Sequence, residues 1–317
     1  MKTLSKLVTF VLLLSLFTSC SSEETSIKTN TIVDVAVNSN LSSLVAAVTK
    51  AELVNTLNGP GPFTVLAPTN EAFAEFLSEN NFNSVDDVPK ELLTQILLNH
   101  VIDGSLKSTD LSTGYANTKA TSNASNTLMS IYINTDGGVK FNGISTVTTA
   151  NIDADNGIVH VIDKVIALPT VVTFATADSN FSVLVEALTR SDLDTDFVSI
   201  LSLPASSNTA PYTVFAPINS AFINVLEELN LTALSDIQKN TLDLTLKTHV
   251  LSGTNALDTD LSTGLNLITL SSEILTVDLT ASASLTDEGN RVSNIIATNV
   301  QANNGVIHAI DKVLLPN

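Results

Sequence analysis

The sequence predicts an α+β fold made twice over, as two tandem copies of one domain. Three observations carry this. The segment Asn156-Gly157-Ile158-Val159-His160-Val161-Ile162-Asp163-Lys164-Val165 returns as Asn304-Gly305-Val306-Ile307-His308-Ala309-Ile310-Asp311-Lys312-Val313, 148 residues later. Within each copy, apolar residues at helical spacing come first and strand-forming runs come later, so helices and strands are segregated rather than alternating. The 317 residues suit two ordinary domains, and 44% apolar composition gives each a sizeable core.

The repeated segment ends each copy. Asn-Gly is a turn signal, and the β-branched run after it reads as a strand. Alternation places Ile158, His160 and Ile162 on one face and Val159 and Val161 on the other. Both faces are apolar, so this strand is expected to be covered on two sides.

The N-terminus is read separately. Lys2 and Lys6 precede an apolar run over residues 7–17, which is 11 residues and too short to span a bilayer. Thr18-Ser19-Cys20 follows, with the chain's single cysteine. This resembles a bacterial lipoprotein box, with Phe17 in place of the usual Leu. The resemblance implies cleavage before Cys20 and diacylglyceryl attachment to its sulfur, a durable lipid anchor. Ser21-Ser22-Glu23-Glu24 resembles the acidic tag that sends some lipoproteins to the outer face of the outer membrane. The expected organisation is a signal peptide at 1–19, a polar tether at 20–31 and domains at 32–169 and 170–317. With Cys20 acylated, no disulfide is possible, and packing alone holds the domains together.

Formal charge is −18. Without Lys2 and Lys6 the chain has 14 − 2 = 12 basic residues against 32 acidic ones, or −20. No basic cluster is present, which argues against nucleic acid.

In chain order, Leu41, Leu44, Val45 and Val48 have helix spacing, as do Phe181, Leu184, Val185 and Leu188. Loops follow at 57–62 and 203–211. Phe63-Thr64-Val65-Leu66-Ala67-Pro68-Thr69-Asn70-Glu71-Ala72-Phe73 is matched by Tyr212-Thr213-Val214-Phe215-Ala216-Pro217-Ile218-Asn219-Ser220-Ala221-Phe222. Each reads as a strand stopped by Pro68 or Pro217, then a helix. Asn70 and Asn219 are expected to cap that helix, and Phe73 and Phe222 to enter the core. Asp87 is expected to cap the next helix, with Pro89 in its first turn. Its stripe is Leu93, Ile96, Leu97, His100 and Val101. Leu242, Thr245, Leu246, His249 and Val250 hold the same places. Gly104 and Gly253 are expected at the helix exits, and no linker separates the halves at Leu168-Pro169-Thr170-Val171. Asp136-Gly137-Gly138 and Asn142-Gly143 signal hairpins between short strands.

The Phe63–Phe73 block and the Asn156–Val165 block, each present twice, resemble the two hallmark boxes of the fasciclin-like domain family. The resemblance covers residues 32–317. It implies a β-sheet wedge or sandwich with packed helices, extracellular adhesion and no catalysis. The Tyr-His pair often found between the boxes is Asn99-His100 and Thr248-His249 here. No Arg-Gly-Asp occurs, so integrin-type binding has no support. The family-motif residues are Pro68, Asn70, Phe73, His100, Asn156, Gly157, His160 and Asp163. Their counterparts are Pro217, Asn219, Phe222, His249, Asn304, Gly305, His308 and Asp311.

All four histidines occupy equivalent places. A catalytic zinc needs three protein ligands, and only Asp163 and Asp311 travel with the pairs. A neutral core imidazole tied to backbone groups is the simpler reading. A calcium-loop hint at 151–157 fails, because Ile162 stands at the twelfth position, and Gln301 and Asn303 replace both aspartates in the second half. Asp163-Lys164 and Asp311-Lys312 read as ion pairs or strand-end polar groups. Neither a phosphate-cradling loop nor a nucleophile elbow is present.

The expected function is therefore non-enzymatic adhesion at the cell surface, without cofactor or metal, by an outer-membrane lipoprotein. Its partners would be extracellular protein or polysaccharide, and the membrane through its lipid. The alternative is a surface protein holding an apolar small ligand between sheet and helices.

Overall fold

The computed structural model describes residues 30–317. The expected signal peptide, Cys20 and most of the tether lie outside the described residues. The chain enters the first domain through α1 (Ile32–Asn38), α2 (Ser42–Lys50) and α3 (Val54–Leu57). Next come β1 (Phe63–Pro68), α4 (Asn70–Glu79), α5 (Lys90–Leu98), β2 (Val101–Asp103), β3 (Gly114–Thr121), β4 (Leu128–Asn134), β5 (Lys140–Phe141), β6 (Ser145–Ala154) and β7 (Gly157–Ile162). The second domain repeats the order. It runs α6 (Val171–Ala177), α7 (Ser182–Leu188), α8 (Phe197–Leu201), β8 (Tyr212–Pro217), α9 (Asn219–Glu228), α10 (Lys239–Thr248), β9 (Val250–Ser252), β10 (Asn266–Ile268), β11 (Ile274–Asp278), β12 (Ser284–Thr286), β13 (Val292–Gln301) and β14 (Gly305–Ile310).

Helices α2 and α7 occupy the predicted periodic stretches. Helix α1 precedes the predicted stretch and is marked by a capping box of Thr31 and Asp34 at its start, and Thr170 and Thr173 form one for α6. The α5 stripe is shorter than expected. The helix stops at Leu98, and Val101 begins β2, so Gly104 and Gly253 follow short strands rather than helices. Asp87 does not cap α5. Its carboxylate accepts from the Asn83 and Ser84 amides, and Pro89 is the cap residue.

The paired boxes meet as adjacent parallel strands in each sheet. Strand β7 runs parallel to β1, with Phe63 opposite Gly157, Val65 opposite Val159 and Ala67 opposite Val161. Strand β14 pairs with β8 the same way, Tyr212 opposite Gly305 and Ala216 opposite Ala309. In the first domain the seven strands close into a barrel, because β2 also pairs with β3. In the second the same strand order stays open between β9 and β10, joined there by the Leu270 amide donating to the Val250 carbonyl at 2.7 Å.

Rolling the sheet creates two apolar layers. Val65, Ala67, Val159 and Val161 face the helices with Phe73 and Leu93, while Leu66, Ile162, Ile131 and Phe141 fill the barrel interior. Every residue of β7 and β14 is buried, as a strand covered on both faces must be. Phe73 and Phe222 are each 2% exposed, which contributes about 1.5–3 kcal/mol apiece.

The two domains touch through named contacts. The Asn303 amide donates to the Pro169 carbonyl at 2.7 Å. Ser122 Oγ donates to the Ala302 carbonyl at 2.7 Å, and the Gln301 amide donates to Ser130 Oγ at 3.0 Å. Tyr132 of the first domain is buried within the second domain's core cluster, and Tyr115 meets Phe174 edge-on at 5.6 Å.

Candidate functional site

The predicted polar motif residues each fasten one element of a domain to another. Asn156 Nδ2 donates to the Leu57 and Gly59 carbonyls at 2.7 and 2.9 Å, and its Oδ1 accepts from the Ile32 amide at 3.0 Å. Asn304 makes the same three bonds, to Leu201, Leu203 and Val171. One amide side chain thus ties the start of the first helix, the end of the third and the turn into the closing strand. A short flexible hydroxyl could not reach all three groups, and a carboxylate could not donate. Gly157 and Gly305 follow because nothing larger fits. A Cβ there would lie 2.0 Å from the Phe63 carbonyl oxygen and 2.3 Å from that of Tyr212.

The histidines are buried and hydrogen-bonded to backbone. His100 Nδ1 donates to the Ile96 carbonyl at 2.7 Å, and its Nε2 accepts from the Ile166 amide at 2.9 Å. His249 is bonded identically, to Thr245 and Leu314. Accepting from an amide requires a bare nitrogen, so both rings are neutral. Burial accordingly lowers each pKa to about 4, a backbone carbonyl bond opposing it in part. His160 Nε2 donates to the Leu106 carbonyl at 2.9 Å, and Asn151 donates to its Nδ1 at 3.3 Å. His308 Nε2 donates to the Ala256 carbonyl at 2.8 Å. Burial lowers the pKa of His160 and His308 as well. The structure does not bring the two histidines of a domain together as a couple. Each links a different loop to the sheet. Among the described residues, no group of three His, Cys, Asp or Glu side chains is placed to hold a metal.

Asn70 and Asn219 do not cap their own helices. Thr69 accepts from the Ala72 amide at the start of α4, and Ile218 precedes α9 without a side-chain bond. Asn70 instead reaches the neighbouring helix. Its Oδ1 accepts from the Ser43 amide at 2.9 Å, and its Nδ2 donates to the Asn40 carbonyl at 2.9 Å. Asn219 does the same for α7 through Val183 and Ser179. The cap is real, but it serves a helix some thirty residues earlier. Pro68 and Pro217 are buried at the ends of their strands. Asp163 Oδ1 accepts from the Thr146 amide at 2.6 Å, and Asp311 Oδ1 from the Asn294 amide at 2.8 Å. These aspartates anchor the neighbouring strand, and Lys164 pairs with Glu75.

Both halves carry one set of contacts on one topology, and the comparisons agree. The description "Fasciclin domain" matches residues 39–169 and again 179–316. The chain belongs to the fasciclin domain family. Among relatives of this fasciclin pair, a Synechocystis sp. protein is 41% identical over 140 residues, 44% of this chain and 74% of that protein. Transforming growth factor-beta-induced protein ig-h3 of Sus scrofa is 32% identical over 270 residues, 82% of this chain. Human periostin is 29% identical over 276 residues, 84% of this chain. The chain spans only 36% of ig-h3 and 30% of periostin. The solved FAS1 domain pair from the insect cell adhesion molecule Fasciclin I superposes with TM-score 0.55 at 21% identity, covering 89% of this chain and 98% of that one.

Sequence reasoning missed the bridge between the two fasciclin domains. Gln301 figured there only as a replacement for Asp153. In the fold its Nε2 donates to Ser122 Oγ at 3.1 Å and to Asn255 Oδ1 at 3.0 Å. Tyr115 donates to Asp178 Oδ2 at 3.1 Å across the same boundary. The one available signal was that Gln301 sits inside the repeat yet breaks it.

Proposed function

We propose that this chain is a non-enzymatic adhesion module, held at the outside of the cell by lipid on Cys20, that binds extracellular protein or polysaccharide. The observation that carries the reading is the presence of the same family domain in both halves, together with a fold shared with the insect cell adhesion molecule Fasciclin I. Two features support it. Each of the four buried histidines bonds a backbone carbonyl, as structural imidazoles do. The interdomain bonds fix the relation of the two domains, so loops from both can present one rigid surface. An outer-membrane lipoprotein exposed at the surface fits the leader and the acidic Ser-Ser-Glu-Glu segment after Cys20.

The test is a deletion strain, complemented by the native gene and by Cys20→Ser. Deletion should reduce attachment to matrix and cell–cell aggregation. Cys20→Ser should release the protein and fail to restore attachment. Full attachment by the deletion strain would overturn the adhesive role, and an unmodified Cys20 by mass spectrometry would remove the anchor.

A further inference from the structure

The two domains share a fold but differ in how well the space between helices and sheet is filled. In the first domain the cavity between α1, α2 and the sheet has a volume of about 20 Å³, too little for any organic ligand. In the second, the corresponding space between α6, α7, α8 and the sheet is about 170 Å³. Its walls include Val171, Leu184, Leu188, Phe197, Leu201 and Ile307.

The difference has a covalent origin. Helices α2 and α3 are joined by three residues, 51–53, whereas α7 and α8 are joined by eight, 189–196. The longer connector sets α8 off from α7. It is also held in place where Asp243 accepts from the Thr195 amide at 3.1 Å. Its other ties, Arg190 to the Leu234 and Ile237 carbonyls and Lys239 to Asp194, have counterparts in the first domain, Lys50 to Val85 and Val88 and Lys90 to Glu52, so the added length is what differs. Val171 adds to the space, since the first domain has the larger Ile32 at the place bonded by the motif asparagine.

The lining also defines the ligand chemistry. No charged side chain borders the cavity. Its only hydroxyls, on Thr176 and Thr189, already donate to helix carbonyls, Thr176 to Val172 at 2.9 Å and Thr189 to Val185 at 2.8 Å. Neither is free to donate to a polar head group, and a chain of charge −18 disfavours an anion. An apolar cavity of about 150 Å³ stays dry and accepts benzene in an engineered protein. Access exists at the rim, where Val198 is 39% exposed.

We propose that the second domain alone is a binding site for an uncharged hydrocarbon group about the size of one ring. This goes beyond the adhesion reading and does not depend on it. The test titrates the full chain with toluene and follows methyl resonances by NMR. Methyls of Val171, Leu184, Leu188 and Ile307 should shift saturably, while those of Val33, Val45 and Val48 stay in place. Benzoate should produce no such shifts. Ala175→Leu, which fills the cavity, should weaken toluene binding at least tenfold. Val171→Ile, a milder change that installs the first domain's residue, should weaken it several-fold without threatening the fold. Shifts that do not saturate, equal shifts in both domains, equal binding of benzoate, or unchanged affinity in the folded variants would each overturn the proposal.

Discussion

Lowering the pH from 7 to 5 should destabilise both domains, well before most carboxylates titrate. His100 and His249 are held neutral, each with a pKa lowered from 6.5 to about 4 by burial. The unfolded chain binds a proton at each as pH falls past 6.5, while the folded chain resists until about 4. Their contribution to stability is therefore complete above 6.5 and is lost across the window from 6.5 to 4. The whole loss is about 3 kcal/mol per histidine, of which about 2 kcal/mol falls between pH 7 and 5. His160 and His308, also lowered, act in the same direction. Glu273 acts oppositely, because its hydrogen bond to Glu288 and its burial raise its pKa. Urea unfolding at pH 7 and pH 5 measures the effect as a drop in midpoint at unchanged slope. His249→Gln should make the second domain's transition less pH-dependent by about 2 kcal/mol. A midpoint that does not move, or imidazole resonances titrating near 6.5 in the folded chain, would refute the assignment of neutral buried rings.

Gly305→Ala should unfold the second domain or cost more than about 3 kcal/mol, because the new methyl meets the Tyr212 carbonyl at 2.3 Å; circular dichroism on heating checks it. Asn70→Ala and Asn219→Ala should each cost about 1 kcal/mol, nearly equally, since each removes the same cap from a neighbouring helix; a thermal melt of each variant decides. Gln301→Ala removes a donor to Ser122 and Asn255 and should loosen the domain pair without unfolding either domain, seen as a larger radius of gyration in solution scattering.

The sequence alone determined the local grammar of this protein. The repeat, the doubly buried closing strand and the strand–Pro–helix block were legible because alternation, turn residues and apolar spacing act between near neighbours. His100 could be named as structural from its apolar stripe, and Asn156 from the family motif it belongs to. Their partners could not. Asn70 looks like a cap for the helix it begins, and only packing shows that it caps α2. The short strand at Val101 was read as helix because three residues carry too little pattern. Gln301 finds Ser122 across 179 positions, a distance over which no periodicity speaks. The closure of one barrel and not the other, and the space opened by eight connecting residues instead of three, are likewise tertiary outcomes. They depend on how whole elements settle against each other, which burial and hydrogen bonding decide only once the chain has brought remote surfaces together.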